Sequence, residues 1–172
     1  MIRKAEEKDI DAIAAIYAHV HAAEQAGKLS IGWQSGVYPL RETACAALAR
    51  DDLFLLEEAG EIIATAIINQ TQVDVYYECP WEFEAKDEEV MVLHTLAVDP
   101  AFAGRGKGTE FARFYEEYAK ENNCTVLRMD TNEINLAARS LYKKLGYREA
   151  GIMPCVFNGI SGVNLVCLEK KI

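Results

Sequence analysis

An α/β fold with strands and helices interleaved along the chain is what the 172 residues predict, and three stretches carry the reading. The apolar run Val90 to Val98 stops at Asp99-Pro100, passes through the glycine-rich Ala103 to Gly108, and enters a segment with Phe111, Phe114, Tyr115 and Tyr118 at helical spacing. A second strand, Val126 to Thr131, leads to a helix that starts at Asn132 or nearby and runs to Leu145, where Gly146 stops it. Leu53 to Glu58 and Glu61 to Asn69 are two β-rich runs joined by Ala59-Gly60, the pattern of a hairpin. The order strand, helix, helix, strands, helix, strand, helix, strands is that of one layered domain covering residues 1–172.

Ile2 to Ala5 is the first short strand. Asp9 is placed as N-cap of a helix whose Ile10, Ile13, Ile16, Tyr17 and Val20 share one face, and Gly27 ends it. A loop from Leu29 to Pro39 carries Trp33 and Tyr38, and a short helix follows from about Leu40 to Arg50. Between the hairpin and Val90, residues 70 to 89 mix apolar, aromatic and acidic side chains around Pro80, so an irregular insertion with a helical turn is expected there. After Gly146, strands Tyr147 to Ile152 and Val163 to Lys170 flank a loop, Phe157 to Gly162, with Asn-Gly and Ser-Gly pairs.

Composition excludes several functions. A formal charge of −9 argues against nucleic acid as a general partner and leans towards a cationic or amine ligand. Five scattered cysteines, with no Cys-x-x-Cys pair, read as free thiols of a reducing compartment, and no metal-ligand spacing is present. Neither a signal-like segment nor an apolar run of membrane-spanning length occurs, so the expectation is a cytoplasmic protein without a membrane partner.

Gly104, Gly106 and Gly108 alternate just before a helix, a spacing that turns the backbone tightly and aims consecutive N–H groups at one anion. A Walker loop would need Ser or Thr directly after Lys107, where Gly108 stands. The dinucleotide fingerprint would need glycine where Thr109 stands. The loop resembles instead the acetyl-coenzyme A loop of the GNAT superfamily of N-acetyltransferases, Gln/Arg-x-x-Gly-x-Gly/Ala after a strand ending Leu-x-Val. Ala103 occupies the position of the family's Gln or Arg. A rival register starting at Arg105 would put Glu110 in the closing small position. A second motif, Asn135 to Tyr147, is similar to the family's Asn-x-x-Ala-x-x-Leu-Tyr-x-x-x-Gly-Phe/Tyr helix. Its spacing puts Asn135, Ala138 and Tyr142 on one face and Leu141 and Leu145 towards another.

The resemblance implies the GNAT fold: a mixed, mostly antiparallel sheet of about six to seven strands flanked by about four helices. It also implies direct acetyl transfer from acetyl-coenzyme A to an amine, with coenzyme A as product. On that basis Ala103, Gly104, Arg105, Gly106, Lys107, Gly108 and Thr109 hold the pyrophosphate, and Leu96, Ala97 and Val98 present backbone to the pantetheine arm. Asn135 offers that arm its amide, and Tyr142 protonates the departing thiolate. A base for the amine is sought in His94, which shares the face of Leu96 unless a bulge intervenes, or in Glu88 and Glu89. Trp33, Tyr38 and Trp81 are candidates for the acceptor pocket. The acceptor is an unidentified small molecule, amino acid or peptide amine, and a homodimer is allowed for. The rival is a non-catalytic acetyl-coenzyme A sensor or scaffold of the same fold.

Overall fold

The computed structural model describes residues 1–172. Seven strands form one sheet: β1 (Ile2–Lys4), β2 (Leu53–Glu58), β3 (Glu61–Asn69), β4 (Val90–Val98), β5 (Val126–Asn132), β6 (Arg148–Phe157) and β7 (Ile160–Lys171). Their spatial order is β1-β2-β3-β4-β5-β7-β6, and the central β4–β5 pair alone is parallel. Four helices complete the fold: α1 (Ile10–Gln25), α2 (Arg41–Ala49), α3 (Lys107–Glu121) and α4 (Leu136–Lys144).

Strand alternation divides the core between the two faces of the sheet. On one face, Phe54, Met91, Leu127 and Leu168 pack under Phe111 and Tyr115 of α3 and Tyr142 of α4. On the other, Leu53, Leu55 and Ile67 meet α1 and α2, and all five residues expected on the buried stripe of α1 are buried. Residues 70 to 89 cover the rest of that face with two short 3-10 turns, bringing Tyr76 and Cys79 against Val90, Val92 and Cys167.

Three local details differ from the sequence reading, one at a cap and two at element boundaries. Asp9 holds the N-cap position of α1 as expected, but its side chain makes no capping bond there. Its carboxylate takes the Arg3 guanidinium at 2.7 Å and the Glu6 N–H at 2.8 Å, tying a preceding 3-10 turn to β1. α4 starts at Leu136, because the Asn135 side chain caps it by accepting the Ala138 N–H at 3.1 Å. The last two strands are longer than expected: only Asn158-Gly159 turns, with φ of 47° and 85°, and Ser161-Gly162 lies inside β7. Ladder hydrogen bonds between two long strands outweigh a turn preference this local.

What positions the site is a bulge. β3 pairs with β4 along its length, but the register shifts where Ala66 faces both Thr95 and Leu96, and Thr95 adopts φ of 52°. A β-branched residue in that region is strained and persists only where its surroundings hold it. The Tyr38 hydroxyl hydrogen-bonds the Thr95 hydroxyl. On its other side β4 pairs with β5 only from Val90↔Val126 to Leu93↔Met129. Beyond Leu93 the two strands diverge, although β5 continues to Asn132 along β7.

Candidate active site

The β4–α3 loop is a cradle of backbone donors. Gly104 and Gly106 both sit at φ of 75°, and Gly106 is the left-handed residue from which α3 springs. The N–H groups of residues 104 to 109 have no acceptor within the protein, the first helical bond being Glu110 N–H to Gly106 C=O at 3.0 Å. Six consecutive unpaired donors at a helix N-terminus suit a multiply charged anion. Glu110 lies inside α3, as the register beginning at Ala103 requires. Gly108 serves a different purpose from the one its spacing suggests. It is helical, and a Cβ there would come within 3.2 Å of Leu141 Cδ2, so it lets α3 approach α4. Of the two loop cations, Arg105 lies over the Phe102 ring at 5.2 Å, while Lys107 bonds Glu58 and Glu110, each at 3.1 Å.

From the cradle the divergence of β4 and β5 leads into a cleft lined by Trp33, Tyr38, Leu96, Asn135, Ala138 and Tyr142, among others. The backbone of Leu96, Ala97 and Val98 lacks a ladder partner on its β5 side, so a peptide-like ligand could pair there as an added strand would. With its Oδ1 on the Ala138 N–H, Asn135 keeps its amide NH2 for such a ligand. Tyr142 is buried, packs edge-on against Tyr147 at 5.7 Å, and still reaches the cleft. Burial, and secondarily the field of Asp130, pushes its phenol above the ordinary range, so it stays protonated at neutral pH.

A second cavity adjoins the cleft on the α2 side, lined by Arg50, Asn69, Thr71, His94 and Asn158 among others. Tyr38, Leu93, Thr95, Asp130 and Phe157 line both. Asp130 is thus a carboxylate at the seam. Its Oδ2 accepts the Tyr76 hydroxyl at 2.8 Å, and burial pushes its pKa up to about 6, with that hydrogen bond opposing the rise.

The expected bases fare differently. The bulge separates His94 from Leu96: Leu93, Leu96 and Val98 pack on the α3 side, and His94 faces the second cavity alone. Its Nε2 meets Asn69 Oδ1 at 3.0 Å, and burial pushes it down to about 4, so the ring is neutral at physiological pH. Glu88 and Glu89 lie in the 3-10 turn before β4, at its far end, and line neither cavity. Trp81 is also remote. It sits over Arg128 at 4.3 Å and donates to the Tyr76 C=O at 2.7 Å, packing the insertion onto the sheet. Trp33 and Tyr38 do line the cleft, in edge-on contact at 6.1 Å. Asp130, Thr95, Asn69 and Arg50 escaped the sequence reading. Only Asp130 left a signal, as the one acidic residue of β5.

Two strands held apart beside a row of unpaired N–H donors, next to a second cavity, are the features the site offers. The chain belongs to the acetyltransferase (GNAT) family, whose model matches residues 5–147. It is 33% identical over 76 residues to an uncharacterized N-acetyltransferase of Methanocaldococcus jannaschii, a match covering 44% of this chain and 34% of that one. Matches to curated relatives span between 23% and 50% of their lengths. A GNAT-family acetyltransferase structure from Streptococcus agalactiae superposes with a TM-score of 0.81 at 25% identity, covering 100% of this chain and 95% of that one. A Salmonella typhimurium protein solved with its cofactor acetyl-CoA shares the fold, with a TM-score of 0.69 at 19% identity and coverage of 99% and 92%.

Proposed function

We propose that this chain transfers an acetyl group from acetyl-coenzyme A to a primary amine. The observation that carries the reading is the continuity of three features: the N–H cradle at residues 104 to 109, the unpaired edge of β4 beyond Leu93, and a seam where Asp130 meets the second cavity. When bound, acetyl-coenzyme A supplies the activated thioester, its pyrophosphate suiting the cradle and its amide-bearing arm the open strand edge.

The protein's own groups divide the remaining work. The backbone donors of Gly104 to Thr109 bind and orient, with Arg105 adding charge. The NH2 of Asn135 and the β4 edge align the arm. Asp130, ionised above about pH 6, accepts a proton from the incoming ammonium, directly or through one water, and so creates the nucleophile. Tyr142 holds a proton for the departing sulfur. Its raised pKa does not spoil the match, because a thiol in the same desolvated cleft is raised for the same reason. His94, neutral and bonded to Asn69, shapes the acceptor cavity; Trp33 and Tyr38 wall the cleft. Free buried thiols at Cys79, Cys124 and Cys167 fit a reducing, cytoplasmic setting. No helix is long and apolar enough to cross a membrane.

Release of free thiol from acetyl-coenzyme A, followed across a panel of amines, tests the reading. Turnover with at least one amine is expected. Cofactor binding with no turnover on any would make the chain a non-catalytic acetyl-coenzyme A module.

A further inference from the structure

The acceptor cavity is electrostatically unlike the rest of the molecule. The chain carries a formal charge of −9, yet the cavity wall holds a single cation, Arg50, against a single carboxylate, Asp130, which it shares with the cleft. His94 is neutral there, and the remaining polar wall groups are uncharged: Thr43, Asn69, Thr71 and Asn158, with Tyr38 and Thr95 at the seam. Asp130 stands only at the seam with the cleft, whereas Arg50 lines the acceptor cavity alone.

Arg50 is also held ready. It follows the last turn of α2, and Asp52 grips one edge of its guanidinium, with Nε at 2.8 Å and Nη2 at 3.2 Å. Asp52 is 7% exposed, does not line the cavity, and is fixed in turn by the Asn69 amide at 2.8 Å. Asn69 then bonds His94. A hydrogen-bonded row from Arg50 through Asp52 and Asn69 to His94 therefore orients the guanidinium, while Nη1 makes no bond within the protein. At His94 the field of Asp52 outweighs that of Arg50, and at Tyr38, whose pKa burial pushes up to about 12, Arg50 opposes the rise only in small part, so it is the free Nη1 edge and not a field at a distance that Arg50 offers the cavity.

A guanidinium with one edge anchored and another free is built to receive a planar anion. We infer that the acceptor is an amino acid or related amine bearing a carboxylate, bound with its amine at the Asp130 seam and its carboxylate on Arg50. The inference rests on the acetyl-transfer reading for which end carries the amine, and it reverses the preference for cationic ligands that net charge alone suggests. Local charge on a concave wall, not the sum over the surface, sets what the cavity selects.

Matched pairs test it: α-amino acids, β-alanine and γ-aminobutyrate, each against its own carboxamide. Two readouts are taken, thiol release and calorimetric binding of the N-acetylated pair members to protein saturated with coenzyme A. For at least one pair the carboxylate form is expected to win by tenfold or more in kcat/KM and in Kd. Arg50→Gln should cut that preference about tenfold, mainly through KM, and Arg50→Lys should keep part of it. The lysine variant retains the charge opposite Asp52, so a folded comparison exists if the glutamine variant unfolds. Carboxamides that bind and react as well as every carboxylate, or a preference that survives Arg50→Gln, overturn the inference and leave acetyl transfer standing. Carboxylate-selective binding with no turnover has the opposite meaning: the recognition site stands and the transferase reading falls.

Discussion

Asp130 keeps its proton to about pH 6 because burial on β5 penalises the carboxylate more than the Tyr76 hydroxyl stabilises it. If it is the base, kcat/KM should rise with pH through about 6, and Asp130→Asn should remove that limb with most of the activity. His94→Gln should keep the limb, since a ring pushed down to about 4 is neutral throughout the range. A pH profile of each variant decides between them. The same residue affects stability. Its folded pKa exceeds the ordinary value of 3.8, so its contribution is fully present below about pH 4 and is lost as pH rises through 6. The displacement corresponds to about 3 kcal/mol at most, so Asp130→Asn should be more stable than wild type at pH 8 by about 1–3 kcal/mol and nearly equal to it at pH 4. Urea titrations at the two pH values measure this, and equal stability of the two proteins at pH 8 would contradict the burial argument. For Tyr142, replacement by Phe should lower turnover by about 10²-fold with acetyl-coenzyme A affinity nearly unchanged. Unaltered turnover removes Tyr142 from the mechanism.

Between β4 and α3, the glycines act at the scale of the element. Gly104 and Gly106 permit left-handed turns that face six donors outward, whereas Gly108 permits the close approach of α3 to α4 through Leu141. Gly108→Leu should therefore tilt the first turn of α3 and weaken acetyl-coenzyme A binding by about a hundredfold, about 3 kcal/mol. Glu110→Gly should change affinity less than tenfold, because Glu110 lies within α3 and Glu58 still holds Lys107. Calorimetry on both variants gives the answer; a tenfold gain from Glu110→Gly with normal binding by Gly108→Leu would mean the loop register starts two residues later. The loop and the stripe of Asn135, Ala138 and Tyr142 were legible in the sequence because each follows from spacing along one segment, whereas the capping role of Asn135 was not. The bulge at Thr95 was not. It depends on how β3 and β4 align and on a hydroxyl from residue 38, and it alone decides which face of β4 His94 occupies.

Over the whole molecule, the insertion between β3 and β4 is fastened by ionic groups rather than by apolar area alone. Arg128, 5% exposed, donates to Gln72 at 2.6 Å and to the Phe83 C=O at 3.0 Å while Trp81 covers its guanidinium. Glu169, fully buried on β7, accepts from the Glu82 and Phe83 N–H groups and from Arg148. Removing one partner from such a network leaves the others unpaired in a poorly solvated place. Arg128→Ala should cost about 3–5 kcal/mol and expose residues 70 to 89 to proteolysis before the rest of the chain. Limited digestion combined with chemical denaturation reads both effects. An insertion no more sensitive than in wild type would show that apolar packing by Tyr76 and Cys79 suffices.

The sequence by itself determined the kind of element at each place, the order of those elements and the two motifs that mark the family, because all three rest on local periodicity and glycine or proline placement. It also put Asn135, Ala138 and Tyr142 on one face by their spacing, and all three line the cleft. Only the tertiary structure decided which charged groups meet. Asp130, Arg50 and His94 come from β5, the end of α2 and β4, and Glu88, Glu89 and Trp81 fall away from the cavities though they are near in sequence to β4. The physical reason is that desolvation and charge pairing depend on neighbours brought together across the sheet, and no spacing along one strand encodes them.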